Sequence, residues 1–236
     1  MNDSTIFITA TDTNIGKTVI TALLALKLRQ MGIDCAVFKP FASGCRRENG
    51  TLISEDAEFL QKMTGSADSL EEICPIRLEE PLAPLIAAQR SGISTRHWPQ
   101  IARDGLENLR DKHEFVLVEG VGGLLAPIWE SEGVPASNLH LLTEWNLPAI
   151  LVTRRTLGTI NHTLLSLQIA AQFSVRFAGI IFNDAAPVSD SDIAAQTSSH
   201  FIAGATPVPI WGCVPFAPEL NPQILQKMTE SLEIRI

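Results

Sequence analysis

Short apolar runs rich in β-branched residues alternate along this chain with longer stretches of helical periodicity. Residues 5–9 are apolar and end in a polar loop, and residues 19–31 carry helical spacing that stops at Gly32. A second apolar run, 35–38, is closed by Lys39-Pro40. Ser54-Glu55-Asp56 reads as a helix start, because serine caps a free N-terminus and acids favour its first turn. Residues 79–84 carry two prolines and read as a loop, and 98–110 as a helix. Residues 115–118, 149–152 and 179–182 look like buried strands, with an amphipathic helix over 161–172 between the last two. A last strand is expected at 210–214 and a last helix at 223–232.

This alternation predicts the α/β class: a mostly parallel β-sheet with helices on both faces. No internal repeat, low-complexity segment or Gly/Ser/Pro-rich linker divides the chain, so a single domain over 1–236 is expected. Such folds bind ligands at the carboxyl ends of their strands. The segments to inspect are therefore 9–18, 39–44, 119–123, 153–161, 183–184 and 215–219.

Composition narrows the function classes. The 236 residues are 45% apolar and 19% charged, which suits a globular chain with its own core. Eighteen basic against 26 acidic residues leave a net charge of −8, so no nucleic-acid partner is expected. Four cysteines at 35, 45, 74 and 213 lack CxxC or metal-ligand spacing, as expected for reduced thiols in a cytoplasmic protein. The first twelve residues do not read as a signal peptide, and the most apolar windows, 19–28 and 148–153, are too short to cross a bilayer. No membrane association is expected.

Candidate chemistry starts at Thr11-Asp12-Thr13-Asn14-Ile15-Gly16-Lys17-Thr18, between an expected strand and an expected helix. A helix start presents free N–H groups and about half a positive charge, which suits phosphate. Lys17 then reaches the β- and γ-phosphates and the Thr18 hydroxyl is placed for Mg²⁺. Thr11 stands where G-x-x-x-x-G-K-[ST] has its first glycine. The bland alternative is a helix that merely begins Gly-Lys-Thr. Elsewhere, Glu119 ends an apolar run as the acid of a Walker B strand does, while Asp56 and its neighbour Glu55 are rival acids at a helix start. Mg²⁺ takes one or two carboxylates beside phosphate oxygens and waters, so Thr18, Asp56 and Glu119 suffice as a set.

The loop Thr11-Asp12-Thr13-x-Ile15-Gly16-Lys17-Thr18 resembles that of the dethiobiotin synthetase family, P-loop NTPase-like enzymes of biotin biosynthesis. That family has glycine where this chain has Ala10; alanine is harmless there at negative φ and strained at positive φ. Further motifs follow in order up to about residue 220: Lys39-Pro40-Phe41-Ala42-Ser43-Gly44, Asp56-Ala57, Glu119-Gly120-Val121-Gly122-Gly123, Leu157-Gly158-Thr159-Ile160-Asn161-His162, Asn183-Asp184 and Pro215-Phe216-Ala217. The resemblance implies that Lys39 and Lys17 are catalytic. It implies nucleotide contacts from Thr13, Asn14, Ile15, Gly16, Lys17, Thr18, Val19, Asp56, Glu119, Gly120, Val121 and Gly122, with Asn183, Asp184, Pro215, Phe216 and Ala217 around the base. Substrate contacts fall to Ser43, Thr13 and Lys39, and to Gly158, Thr159 and Asn161 at a dimer interface; the metal set is Thr18, Asp56 and Glu119. His162 is read as structural, and Arg154, Arg155 and Glu219 carry no assigned role.

The implied activity is ATP- and Mg²⁺-dependent carboxylation and ring closure of 7,8-diaminononanoate with CO₂, in a homodimer, with no covalent enzyme nucleophile. On this reading Lys17→Gln or Lys39→Gln lowers turnover by roughly 10²-fold without unfolding the chain. Two rivals stand beside it. A partitioning-type ATPase carries a second lysine near the loop's start, where this chain has Thr9-Ala10-Thr11-Asp12. A non-catalytic nucleotide-binding relative is the other.

Overall fold

Six of the strand-forming runs pair side by side, all parallel, in a computed structural model that describes residues 4–189 and 191–234. Residues 1–3, 190, 235 and 236, which the single-domain expectation includes, lie outside the described residues. The chain opens with β1 (Thr5–Ala10), α1 (Lys17–Gln30) and β2 (Cys35–Phe38). Short elements follow: β3 (Phe41–Ala42), the hairpin β4 (Arg46–Glu48) and β5 (Thr51–Ile53), α2 (Glu55–Thr64), α3 (Leu70–Ile73), β6 (Ile76–Arg77) and α4 (Pro84–Ser91). Then come α5 (Trp98–Lys112), β7 (Phe115–Glu119), the hairpin β8 (Pro127–Ser131) and β9 (Val134–Ser137), and α6 (Asn138–Trp145). The last part holds β10 (Ala149–Thr153), α7 (Thr159–Gln172), β11 (Phe177–Asn183), α8 (Ile193–Ala205), β12 (Ile210–Val214) and α9 (Pro222–Met228). The sheet order is β12-β11-β10-β1-β7-β2.

The strand runs are apolar at consecutive positions because both faces of the sheet are covered. In β1, Ile6 and Ile8 join a core that includes Ile20, Leu24 and Leu28 of α1 and Leu225 of α9. Phe7, between them, points the other way, into a core with Trp98, Ala102, Leu106 and Leu109 of α5. A smaller cluster of Leu151, Ile180 and Phe182 is closed by Ile202 of α8. The layers are thus helix, parallel sheet, helix, in one domain.

The expected elements form with shifted ends. α1 starts at Lys17, two residues before its apolar stripe, because the phosphate loop delivers the chain already turned for a helix at Gly16. α7 likewise starts at Thr159 rather than 161, after Gly158. The last helix ends at Met228 and tightens into a 3₁₀ turn over Thr229–Ser231, and Leu232 then leaves it to bridge Gly212. Ser54 caps α2 as expected, accepting from the Ala57 N–H at 3.2 Å. Ala10 closes β1 in register with Val152 and is absent from the positive-φ residues, so alanine is harmless there. The periodicity did not announce α3, α4, α6, α8 or the small two-stranded pairs.

Candidate active site

Each strand delivers one functional segment to the carboxyl edge of the sheet. β1 feeds the phosphate loop into α1. Gly16 caps that helix at φ 91°, in the left-handed region, and a Cβ there would stand 2.2 Å from the Asn183 amide nitrogen. Glycine is required on both counts. No side chain caps α1, and its first hydrogen bond runs from the Ile20 N–H to the Gly16 carbonyl. The N–H groups of Lys17, Thr18 and Val19 therefore have no partner within the helix and are free for an anion.

Lys39 follows β2, Glu119 ends β7, and Asp56 lies in the first turn of α2. The three meet: Lys39 Nζ is 2.5 Å from Glu119 Oε1 and 2.6 Å from Asp56 Oδ2. Thr18 donates its hydroxyl to the same Glu119 oxygen at 2.8 Å. Between the rival acids, Asp56 makes the contact with Lys39, while exposed Glu55 only lines the cleft. Glu119 is fully buried, and its Oε2 has no hydrogen-bond partner among the described residues. Burial opposes the charge on Lys39, but the Glu119 and Asp56 carboxylates outweigh it and push the ammonium above its usual range. Burial likewise opposes ionisation of Asp56, yet Lys39 and the Thr18 hydroxyl hold its carboxyl below the usual range. Lys17 is pushed down to about 8, by burial first and by Lys39 second. Among the described residues its ammonium donates to the Asp12 carbonyl alone, at 3.4 Å. A phosphate would restore its charge partner.

Lys17, Thr18, Lys39 and Asp56 border a cleft of about 490 Å³, into which Thr13, Gly16, Ser43 and Gly122 also face, with Glu119 buried behind them. Two carboxylates, one of them with a buried oxygen lacking a partner, and a hydroxyl fit Mg²⁺, which completes its shell with phosphate and water oxygens. Among the described residues no group of three or more His, Cys, Asp and Glu side chains could hold an ion unaided.

The remaining expected residues divide. Ile15 is buried, and its carbonyl accepts from the Asn183 amide at 2.7 Å, so Asn183 braces the loop from below. Gly120 lies where a Cβ would meet Asn138 and Phe7, both at 2.7 Å. Asp184 is held by Arg155 in a two-pronged ion pair, with Nε at 3.1 Å. Pro215, Phe216 and Ala217 follow β12 beside Asp184, whose N–H bonds the Val214 carbonyl at 2.9 Å, and they stand outside the lining of the cleft. Gly158, Thr159 and Asn161 line a different cavity, of about 780 Å³, between α7 and α8. Thr159 there begins a helix with no side-chain cap. His162 is exposed beside Gly158.

One residue escaped the sequence reading. Asn138, fully buried, accepts from the Val121 N–H at 3.2 Å and donates to the Val121 and Gly123 carbonyls at 2.7 Å each. It shapes the turn that follows Glu119. Its only local signal is the Ser137-Asn138 pair after an extended run, which reads as an ordinary cap.

Residues 4–224 match the AAA domain family. Curated relatives span nearly the whole chain. The ATP-dependent dethiobiotin synthetase BioD of Thermodesulfovibrio yellowstonii is 38% identical over 218 residues, covering 91% of this chain and 90% of its own length. The protein of the same name from Nitrosopumilus maritimus is 33% identical, covering 94% and 93%. Among solved structures, the cell division ATPase MinD of Pyrococcus furiosus superposes with a TM-score of 0.56 at 16% identity, covering 97% of this chain and 98% of its own. The septum site-determining protein MinD of Pyrococcus horikoshii, complexed with Mg-ADP, gives 0.54 at 17%, covering 96% and 95%. At such identities these likenesses speak to the P-loop fold alone.

Proposed function

The chain belongs to the ATP-dependent dethiobiotin synthetase family, and we propose from that membership how its cleft carries the reaction. It is a ligase that forms C–N bonds and makes dethiobiotin at the expense of ATP in biotin biosynthesis. The substrates on our reading are 7,8-diaminononanoate, CO₂ and ATP. One amine takes up CO₂ as a carbamate, whose oxygen attacks the γ-phosphorus while ADP leaves. The second amine then attacks the carbamoyl carbon of the mixed anhydride, closing the urea ring and expelling phosphate.

Phosphoryl transfer of this kind needs placement and charge compensation more than covalent help. The free N–H groups of Lys17, Thr18 and Val19 receive the phosphates, and Lys17 offsets charge on the β- and γ-oxygens. Lys39, which shares the Glu119 oxygen with Thr18, enters the cleft beside the loop, where it can meet the carbamate and the transferred group together. Ser43 and Thr13 hold the carbamate end of the substrate. Thr18, Asp56 and Glu119 would hold Mg²⁺, which supplies charge neutralisation on the bridging phosphate oxygens when bound. The convergence of Lys39, Asp56, Glu119 and Thr18 within 2.5–2.8 Å contacts at the edge of the phosphate loop is the observation that carries this assignment. Asn183 with Asp184, Pro215, Phe216 and Ala217 forms the nucleobase end.

We also read the chain as a homodimer in the cytoplasm. The α7–α8 cavity is rimmed by Leu157, Leu165, Ile193 and Phe201, which are 92, 60, 72 and 55% exposed. An apolar surface of this kind asks for cover. Pairing through it would bring Gly158, Thr159 and Asn161 of one subunit towards the substrate of the other. Four free thiols suit a reducing compartment, and no helix among the described residues is long and apolar enough to cross a membrane.

The test incubates the protein with diaminononanoate, bicarbonate and MgATP and looks for the cyclic urea by mass spectrometry, with matching ADP. ATP hydrolysis without urea, or no turnover at all, would refute the assignment.

A further inference from the structure

A chain of hydroxyls joins the phosphate loop to the second cavity. Thr11 begins the loop, Thr153 ends β10, and Thr159 and Thr163 lie in the first two turns of α7. Thr153 Oγ1 stands 3.3 Å from Thr11 Oγ1, 2.8 Å from Thr159 Oγ1 and 3.0 Å from Thr163 Oγ1. Thr159 Oγ1 lies 2.5 Å from the Arg154 carbonyl. Thr153, Thr159 and Thr163 are all buried.

Each hydroxyl owns one proton, and this fixes the direction of every link. A carbonyl can only accept, so the Thr159 proton goes to Arg154. Thr153 must then donate to Thr159. With its own proton spent, the Thr153 oxygen accepts from both Thr163 and Thr11. The ordered path runs Thr11, Thr153, Thr159, Arg154 carbonyl, and Thr163 is a side branch.

The loop end of this path matters for phosphate. Thr11 is also held by its N–H, bonded to the Val152 carbonyl at 3.1 Å, and the next residue carries the carbonyl facing Lys17 Nζ. Arg154, whose carbonyl ends the path, sends its guanidinium back to Asp12 at 3.4 Å. The first two loop residues are thus clamped to residues 153–159 by side chains from both directions.

We propose that Thr153 is a positioning residue for the nucleotide, tying the first residue of the phosphate loop to the start of α7, so that nucleotide affinity depends on the Thr159 hydroxyl in the other cavity. This rests on the reading of residues 11–18 as the nucleotide site. The usual loop glycine allows the backbone to adapt; Thr11 instead trades that freedom for an anchor.

The experiment titrates a non-hydrolysable ATP analogue with Mg²⁺ into the full chain by calorimetry, with thermal melts alongside. Thr153→Val and Thr159→Val should each weaken binding about three- to tenfold, the size of one buried neutral hydrogen bond. Thr153→Ser, which keeps the hydroxyl, should stay within about twofold of the parent. Adding Thr159→Val to Thr153→Val should weaken binding no further, because the path is already cut. Thr11→Val removes the same link from the half-buried end and should reproduce Thr153→Val even if the latter melts early. Thr163→Val, off the path, should bind like the parent. Parental affinity in Thr159→Val and Thr11→Val overturns the proposal, as does a Thr163→Val loss equal to that of Thr153→Val, which would mark a general packing effect. A parent chain that binds no analogue overturns the nucleotide reading itself.

Discussion

Replacing Lys39 by methionine removes the one cation that, among the described residues, is ion-paired with a carboxylate that has no exposure to water. Glu119 keeps the Thr18 hydroxyl on Oε1, and its Oε2 already lacks a partner. At an effective dielectric of about 20, charges 2.5 Å apart attract by about 7 kcal/mol, and desolvation of each ion takes back several of these. The relevant quantity is the cost of leaving one buried charge alone, about 3–5 kcal/mol. The Asp56 contact adds little, because its side chain is 49% exposed and an exposed pair contributes only about 0–1 kcal/mol. For a chain of this length 1 kcal/mol moves the melting temperature by about 2–4 °C, so Lys39→Met should melt about 6–20 °C early. Asp56→Asn should melt within about 4 °C of the parent.

A cycle separates the pair from its surroundings. Glu119→Gln in the Lys39→Met background removes the stranded charge and should recover most of the loss, leaving a coupling of about 2 kcal/mol or more. Thermal melts by circular dichroism at pH 7.5 without nucleotide, supported by urea titration, provide the numbers. If Lys39→Met melts within 2 °C of the parent, or the double variant is no better than Lys39→Met alone, the buried ion pair does not hold this edge of the sheet together. Turnover measured at 15–20 °C, where the variant stays folded, should still fall by roughly 10²-fold.

Three further outcomes follow from other parts of the molecule. Gly16→Ala forces a Cβ into the Asn183 amide at positive φ, so nucleotide affinity measured by calorimetry should drop by at least about tenfold with a stability loss of about 1–3 kcal/mol; near-parental binding would contradict the loop geometry. Asn138→Ala strips three hydrogen bonds from the turn after Glu119 and should destabilise by about 2–3 kcal/mol in urea, with a higher KM for ATP; an unchanged KM would detach that turn from the nucleotide site. Burial pushes the Cys35 and Cys74 thiols up to about 12, so above pH ~9 the unfolded chain sheds two protons that the folded chain keeps, and stability falls by about 1.4 kcal/mol per thiol per pH unit. Lys17, at about 8 when folded, is deprotonated before the unfolded chain is; it works the other way between pH 8 and 10.5 and offsets about one thiol. A Cys35→Ala, Cys74→Ala variant should therefore lose less stability than the parent between pH ~9 and 10.5, the thiols of Cys45 and Cys213, also raised by burial, being common to both, and one that tracks the parent would refute the assignment.

The sheet was legible because fully buried parallel strands are continuous apolar runs, as at 35–38, where the reading and the strand coincide. The missed helices carry weaker signals. α3 is four residues long, and α4 and α6 eight each, too short for periodicity to speak. The hairpin of β4 and β5 had a readable turn in Asn49-Gly50, both at positive φ, the dipeptide that a tight hairpin demands. Side-chain roles were legible only as far as position along a strand end reveals them. That logic found Lys39 and Glu119, but Asp56 and Glu55 are adjacent and equally acidic, and only the approach of α2 to β2 separates them. Asn138 was hidden for the opposite reason. Its three bonds are all to backbone groups distant in sequence, and backbone carries no sequence signature.

The ion cluster adds a structural cost to the loss of Lys39. By its place at a strand end alone it reads as an ordinary exposed lysine, and the family resemblance implies a catalytic one. Here Lys39 is buried against two acids, Glu119 and the half-exposed Asp56, so its charge has partners supplied by the protein itself. Lys17 has no salt bridge to a carboxylate among the described residues, and burial first and the charge of Lys39 second push its ammonium down to about 8, whereas Glu119 and Asp56 hold that of Lys39 above its usual range. One lysine is therefore held by the protein's own charges and the other is left for the ligand's. A triphosphate arriving at the loop finds Lys17 available at once, whereas it must compete with Asp56 and Glu119 for Lys39. That competition is weaker on the Asp56 side, where the carboxylate is half exposed.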